Sequence, residues 1–206
     1  MSQPLNFSTP DDREELARAE VYGLLAQLFY AAPDAELYEQ LQVAPTEAPA
    51  PGGFLERSWS DVVAASRCLT REQVAQEYDA LFMGIGRPEV FLYASHHLAG
   101  AMNEKPLVAL RDTLTELGLT RVEGMAETED HLAYLCEVMR YLIAGDDPGA
   151  SNLAAQRRFF DAHLRGWVEE PCEQIAAHAG ADFYRALAIF ARDFFAVEAQ
   201  GFDMMD

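Results

Sequence analysis

Apolar residues recur with the period of an α-helix along almost the whole of this 206-residue chain. In one stretch they are spaced i, i+3, i+7, i+10 and i+11, and so share a helix face: Leu132, Leu135, Met139, Leu142 and Ile143. No segment has a convincing strand pattern. We therefore predict an all-α fold, a single domain over residues 1–206 built as a bundle of about nine to ten helices.

Prolines, glycines and capping residues delimit the predicted helices. Thr9-Pro10 reads as an N-cap and a first-turn proline, and Thr70-Arg71-Glu72-Gln73 has the form of a capping box. Residues 44–53 combine prolines with paired glycines, which predicts a flexible loop. Gly118 suits the left-handed position after a helix, and we place a hinge near residues 118–130. The predicted helices cover residues 10–31, 35–42, 54–66, 71–83, 97–102, 106–117, 153–167 and 183–197, together with one that starts near residues 127–132 and ends near residue 145.

The balance of charge excludes several classes of partner. The formal net charge is −19, whereas nucleic acids and anionic membranes attract clustered Lys and Arg, so a cationic partner is favoured. The longest stretch without Asp, Glu, Lys or Arg, residues 90–103, is too short to span a membrane, which takes about 20 apolar residues. The first residues lack the basic and apolar regions of a secretory signal, and three widely spaced cysteines without a CxxC pair suit a reducing compartment. We therefore expect a cytoplasmic protein that is not inserted in a membrane.

The negative charge is concentrated where one predicted helix begins. Residues 123–147 contain seven acidic residues and one basic residue, Arg140. Glu127, Asp130 and His131 would share one side of the first helical turn if the helix extended back to Thr128. Because Asp130 and His131 cannot both point into the core, we expect at least one of them to face a cleft or solvent. The residues alone leave open whether the cluster caps the helix or binds a ligand.

An aromatic segment precedes this cluster in the chain. Gly84, Gly86 and Pro88 end the helix before it, and Phe91-Leu92-Tyr93-Ala94-Ser95 is predicted to be irregular. Irregular segments on a helical scaffold are usual places for recognition. An alternative is that these aromatic side chains plug the bundle, and the sequence leaves both interpretations open.

Catalytic interpretations of these motifs lack necessary parts. Gly84-Ile85-Gly86 has neither a preceding strand nor a following GK[ST], so it does not form a phosphate-binding loop. The histidines lack the spacings of zinc ligands, and Cys136 and His131 would project about 140° apart on a helix. We therefore expect no enzymatic activity, no cofactor and no metal.

As a set, the motifs resemble the TorD/DmsD family of all-helical maturation chaperones for molybdoenzymes. The resemblance covers roughly residues 11–197. In the family's E-P-x-D-H hinge motif the proline is replaced here by Thr128, which relaxes the restriction on the preceding residue. The matching residues, in chain order, are Glu77-Tyr78-Asp79-Ala80-Leu81-Phe82, Tyr93-Ala94-Ser95, Arg111, Leu117-Gly118-Leu119, Glu127-Thr128-Glu129-Asp130-His131-Leu132, Glu137, Met139, Phe160, Trp167 and Phe183-Tyr184.

The resemblance implies a cytoplasmic chaperone that binds the twin-arginine signal peptide of a client and assists cofactor insertion before export. The implied partners are this signal peptide and the catalytic subunit of a molybdenum oxidoreductase. Carboxylates beside an apolar, aromatic surface suit two arginines followed by an apolar run. We assign the peptide site to a polar half (Glu127, Asp130 and His131), a neighbouring wall (Tyr93 and Ser95), and residues that line or support its apolar part (Tyr78, Leu81 and Phe82).

Two rival functions follow from the same resemblance. In the first, the chain assembles a respiratory nitrate reductase subunit that carries no exported twin-arginine peptide. In the second, which the missing phosphate loop disfavours, it binds or hydrolyses a nucleotide. The resemblance also implies a monomer that can form domain-swapped dimers through the loop ahead of Glu127.

Overall fold

A computed structural model describes residues 10–46, 53, 55–84, 87–122, 124–147 and 149–204. The predicted cap at Thr9, much of the predicted 44–53 loop, and Ile85, Gly86 and Pro148 lie outside these residues. The described part is all-α, with no strand in it. It contains α1 (Pro10–Tyr30), α2 (Ala35–Val43), α3 (Glu56–Cys68), α4 (Arg71–Tyr78), a π-helical turn (Asp79–Met83), α5 (Ala94–Ala99), α6 (Lys105–Glu116), α7 (Leu132–Ala144), α8 (Leu153–His163), α9 (Glu169–Ala177) and α10 (Phe183–Asp203). The predicted all-helical bundle is thereby confirmed.

Three helix pairings organise the core. α1 packs along α7, and α10 packs against α9 and α3. The apolar stripe of α7 predicted from the sequence supplies Leu132, Leu135, Met139 and Leu142, all fully buried. Burial of each such side chain stabilises the fold by about 1.5–3 kcal/mol, so packing between helices stabilises the bundle more than helix propensity does.

A buried glutamate anchors the start of α10. The Glu77 carboxylate, on α4, accepts hydrogen bonds from the backbone N–H groups of Asp182 (2.9 Å), Phe183 (3.0 Å) and Tyr184 (2.7 Å). A helix start has N–H groups without partners within the helix, and a carboxylate there also interacts favourably with the helix dipole. Glu77 therefore fixes α4 against α10 although more than 100 residues separate them.

The capping box predicted at Thr70 is present. The Thr70 hydroxyl accepts a hydrogen bond from the Gln73 backbone N–H, and the Gln73 side chain accepts one from the Thr70 N–H. Gly118 adopts the predicted left-handed conformation, with φ of 70°. These local signals were readable because each depends on residues within one helical turn.

Several predicted boundaries are wrong. The short helix predicted over residues 97–102 is α5, which begins at Ala94, and the helix predicted over residues 153–167 ends at His163. α9 was not predicted. The early start of α5 has a tertiary cause, because a side chain distant in sequence caps it, as described below.

Candidate functional site

The two segments singled out in the sequence lie side by side. Tyr93 and His131 form an isolated antiparallel β-bridge. The Ala94 N–H donates to the Asp130 carbonyl (3.0 Å), and the Leu132 N–H donates to the Leu92 carbonyl (2.8 Å). The start of α5 is thus joined to the start of α7, as expected if residues 93–95 form a wall beside residues 127–131.

The Asp130 side chain organises this junction from inside. It is fully buried and accepts hydrogen bonds from the Ser95 N–H (2.9 Å), the Ser95 hydroxyl and the Thr128 hydroxyl (2.6 Å). Because three donors offset the desolvation of the carboxylate, its burial is tolerated. Asp130 caps the first turn of α5, which is why that helix begins at Ala94.

His131 is the N-cap of α7. Its Nδ1 accepts a hydrogen bond from the Ala133 N–H (3.2 Å), so the ring is neutral and its proton is on Nε2. Burial lowers the pKa of His131 to about 4, although the negative charges of Glu127 and Asp130 act in the opposite direction. A neutral imidazole avoids placing a cation at the positive end of a helix.

The cluster is not arranged as the first turn of a helix. Asp130 and His131 are both shielded from solvent, with exposed fractions of 0% and 5%, and Asp130 lines a small cavity of about 160 Å³ beside Leu110 and His163. α7 does not extend back to Thr128, so the cluster precedes the helix instead of sharing its first turn. The Thr128 hydroxyl donates a hydrogen bond to Asp130. The common reason is that residues 127–131 form turns and extended backbone, in which neighbouring side chains can both be directed inward.

Glu127 is the half-buried carboxylate at the surface of this junction. It accepts a hydrogen bond from the Tyr93 hydroxyl. Burial and the negative charge of Glu127 raise the pKa of Tyr93 and of Tyr78 above the ordinary value for tyrosine. Burial and the neighbouring Tyr30 hydroxyl raise the pKa of Tyr134 to about 12, and the negative charge of Glu127 makes the smallest contribution in the same direction. Three tyrosine side chains therefore lie close to this one carboxylate.

Aromatic side chains extend the surface away from Glu127. The Tyr134 ring lies 5.7 Å from that of Tyr30, which is 44% exposed. The Tyr134 hydroxyl is buried and has no partner of normal hydrogen-bond geometry among the described residues. The Tyr78 hydroxyl donates to the Tyr30 carbonyl (2.5 Å), and the Tyr78 ring packs on Phe82 at 5.1 Å. We name Glu127, Tyr30, Tyr78, Tyr93 and Tyr134 the tyrosine cluster.

The apolar residues assigned from the sequence divide into support and surface. Leu81 is fully buried and its carbonyl accepts hydrogen bonds from Glu89 and Val90, so Leu81 supports the site without lining it. Tyr78 is also buried, whereas Phe82 is partly exposed. In the aromatic segment Leu92 plugs the bundle, while Phe91 and Tyr93 are half-exposed. Both interpretations of this segment therefore hold, for different residues.

The neighbouring acidic residues differ in their partners. Arg111 donates to Glu129 through two nitrogens, at 3.1 and 2.9 Å, and holds the pKa of Glu129 below its usual value. Glu137 pairs with Arg140 at 2.9 Å. Glu127 has no basic partner among the described residues, and its neighbour His131 is neutral. Of these acidic residues, Glu127 is therefore the one that is neither paired with a basic side chain nor enclosed, and exposed Asp79 adds a second negative charge beside Tyr78.

Sequence reasoning missed part of this surface. Tyr30 and Tyr134 come from the end of α1 and the first turn of α7, and nothing in their local sequence marks them. Arg111 was noted, but its pairing with Glu129 was not foreseen. Gly84 follows a π-helical turn and not a strand. No group of three or more His, Cys, Asp or Glu in the described residues could hold a metal ion.

Comparisons with known proteins agree with this architecture. The family model described as "Nitrate reductase delta subunit" matches residues 47–173. The protein "Chaperone protein TorD" from the El Tor Inaba strain of Vibrio cholerae serotype O1 is 28% identical over 193 residues, which cover 86% of this chain and 88% of the relative. Its counterpart from the Classical Ogawa strain is 27% identical over the same shares of both chains. The chain therefore belongs to the family of nitrate reductase delta subunits and TorD-type chaperones.

Proposed function

We propose that this protein is a non-enzymatic cytoplasmic chaperone that binds the twin-arginine signal peptide of a molybdoenzyme and assists its maturation before export. One observation carries the proposal. Glu127 is a carboxylate without a basic partner among the described residues, and it is surrounded by tyrosines beside partly exposed aromatic side chains.

The chemistry of such a peptide fits this surface. A guanidinium can pair with the Glu127 carboxylate through two N–H groups and pack against tyrosine faces. Cation–π attraction adds about 0.5–1 kcal/mol at an exposed aromatic ring. The apolar run of the peptide would lie along Tyr30, Phe82 and Met83, of which Met83 is 60% exposed.

Asp130, His131 and Ser95 act indirectly in this proposal. The hydrogen bonds between Ser95 and Asp130 join the start of α5 to the start of α7 and so hold Tyr93 beside Glu127, and His131 caps α7. Substitution of Asp130 would weaken binding by disturbing the junction, so it does not test contact with the peptide. Glu127 is the better target.

Calorimetry with a synthetic signal peptide tests the proposal. We expect a dissociation constant of about 1 μM or lower, equivalent to about −8 kcal/mol, for the Arg-Arg peptide, and at least about tenfold weaker binding of a Gln-Gln peptide. Glu127→Gln should weaken Arg-Arg binding at least about tenfold, and added salt should weaken it further. Glu116→Gln, at an exposed position on α6, is the matched control. Equal affinity for the two peptides would refute the proposal.

The family description favours a second candidate function. In it, the chain acts as an assembly chaperone for a nitrate reductase subunit that is not exported. Such a client offers no paired arginines, so its terminal peptide should bind without loss on Glu127→Gln. Co-purification of the chain with its client from native cells, followed by sequencing of the client's first residues, separates the two functions.

No helix in the described residues is long and apolar enough to cross a membrane. The proposed site of action is the cytoplasm, before the client is exported.

A further inference from the structure

A second cavity in the described structure is remote from the tyrosine cluster. It is an open groove of about 580 Å³ between the first half of α1 and the second half of α10. Arg18 lies at its floor, and the rise from Arg18 to Tyr30 along α1 is about 18 Å. We name it the α1–α10 groove.

The walls of the groove are apolar. Val21, Leu153 and Val197 line it, and Leu153 is 42% exposed. Gly201 lies in the same wall, and a Cβ atom there would have no neighbour within 4 Å. A glycine within a helix destabilises that helix relative to an alanine. Gly201 therefore leaves free space in the wall of the groove but does not stabilise α10.

The floor is a closed polar network that needs no ligand. Arg18 pairs with Glu198 through Nε (2.7 Å) and Nη2 (2.8 Å), and its Nη1 donates to Glu15 (3.0 Å) and Gln156 (3.1 Å). The Tyr22 hydroxyl donates to Glu198 at 3.1 Å. This network joins α1, α8 and α10, and it neutralises Arg18 within the fold.

The charge of the groove identifies the chemistry of an occupant. Glu14, Glu15 and Glu198 line it together with Arg18, which leaves an excess of two negative charges. The Glu14 carboxylate has no hydrogen bond or ion pair within the described residues and lies at the exposed rim. An anionic lipid surface or a nucleic acid would be repelled, whereas an apolar segment with a basic side chain matches both the walls and the rim.

We propose that the α1–α10 groove binds an apolar segment of a client polypeptide that carries a lysine or arginine, as a second docking site separate from the tyrosine cluster. The apolar side chains of the segment enter the groove beside Gly201. Its basic side chain pairs with Glu14 at the rim. The two sites are on opposite halves of α1, so one client can occupy both.

Fluorescence anisotropy with a labelled amphipathic peptide of leucine and lysine, 14 residues long, tests this site. Two counterparts, one of leucine and glutamate and one of serine and lysine, should bind at least about tenfold more weakly. Gly201→Leu fills the groove and should weaken the leucine–lysine peptide at least about tenfold. Ala196→Leu, at an exposed position on the same helix outside the groove, should change its affinity less than about twofold. Leu153→Ser removes an apolar wall at an exposed position and should also weaken binding, which covers the case that Gly201→Leu does not fold.

The two proposed sites can fail separately. Glu127→Gln should leave binding of the leucine–lysine peptide unchanged, and Gly201→Leu should leave binding of the Arg-Arg peptide unchanged. Equal binding of the serine–lysine peptide, or no effect of either groove variant, would overturn the second site. If the leucine–lysine peptide bound only after Leu5 and Phe7 had both been replaced by serine, the chain's own first residues would be the occupant of the groove. A dimer that Gly201→Leu converts to a monomer would identify a second copy, and either result overturns the proposal.

Discussion

Glu77 is a buried glutamate at the start of α10, and Glu127 is a half-buried glutamate at the junction of α5 and α7. The two carboxylates differ in the number of hydrogen-bond donors that reach them. Three backbone N–H groups at the start of α10 donate to Glu77, whereas one tyrosine hydroxyl donates to Glu127. Burial raises the pKa of Glu77, and its three donors act in the opposite direction. The carboxylate of Glu77 is used by the fold, and that of Glu127 retains acceptor capacity for a ligand.

The acidic residues near Glu127 also differ in the partners that they already have. Glu129 is neutralised by Arg111, and Asp130 is enclosed by Ser95 and Thr128. Acidic residues that look equivalent in the sequence therefore have different roles, and the difference is the number of donors each already has.

The largest effect is expected for Glu77→Ala. The variant leaves the N–H groups of Asp182, Phe183 and Tyr184 without their acceptor, two of them in buried residues, and should lose about 3–5 kcal/mol of the free energy of unfolding. Urea denaturation measures this loss. Glu20→Ala, at an exposed position on α1, should lose less than about 0.5 kcal/mol. A loss below about 1 kcal/mol for Glu77→Ala would show that Glu77 and Glu127 do not differ as described.

A smaller effect concerns His131 and pH. Burial lowers the pKa of His131 to about 4 in the folded chain, from the ordinary histidine value of 6.5. As the pH falls from 6.5 to about 4, the unfolded chain binds a proton that the folded chain does not, so stability falls, by about 3 kcal/mol for this group. His131→Asn keeps an N-cap acceptor but removes this titration. Its free energy of unfolding should therefore decline less steeply with acid than that of the parent chain.

Chemical denaturation at several pH values between 7 and 4 measures the two curves. Parallel curves would contradict a buried, neutral His131. In that case His131 could carry a positive charge beside Glu127. The acceptor capacity of Glu127 would then be used within the fold, as that of Glu77 is.

The smallest effect is expected for Tyr93→Phe. It removes the hydroxyl that donates to Glu127, a loss of about 1 kcal/mol in stability. The affinity for the Arg-Arg peptide should stay within about threefold, because the carboxylate itself remains. Tyr141→Phe, whose hydroxyl has no hydrogen bond among the described residues, should leave stability unchanged. If Tyr93→Phe reduced peptide affinity as strongly as Glu127→Gln, the ligand would contact the tyrosine hydroxyl and not mainly the carboxylate.

Much of the fold was predictable because helical periodicity and capping are local. The stripe of α7, the capping box at Thr70 and the left-handed Gly118 follow from residues within a few positions of one another. The start of α5 and the existence of α9 were not predictable in this way. The start of α5 depends on Asp130, which is 35 residues from the Ser95 N–H that it caps.

The candidate site was located by sequence and defined by tertiary structure. Residues 93–95 and 127–131 were correctly placed next to each other, and Glu127 was included. The burial of Asp130 and His131, the supporting role of Leu81, and the contributions of Tyr30 and Tyr134 required the packed structure. A local pattern gives no information on how many donors reach a carboxylate from distant segments.

The amino-acid sequence by itself determined the helical class of this protein, most of its helix ends, its negative charge and its resemblance to TorD-type chaperones. Only the tertiary structure decided that Glu127 keeps acceptor capacity while Asp130 is enclosed and Glu129 is paired, and where an apolar groove stays open between α1 and α10. The physical reason is that periodicity and capping act over one or two helical turns, whereas desolvation and pairing of charges depend on all the segments that meet at a point in space.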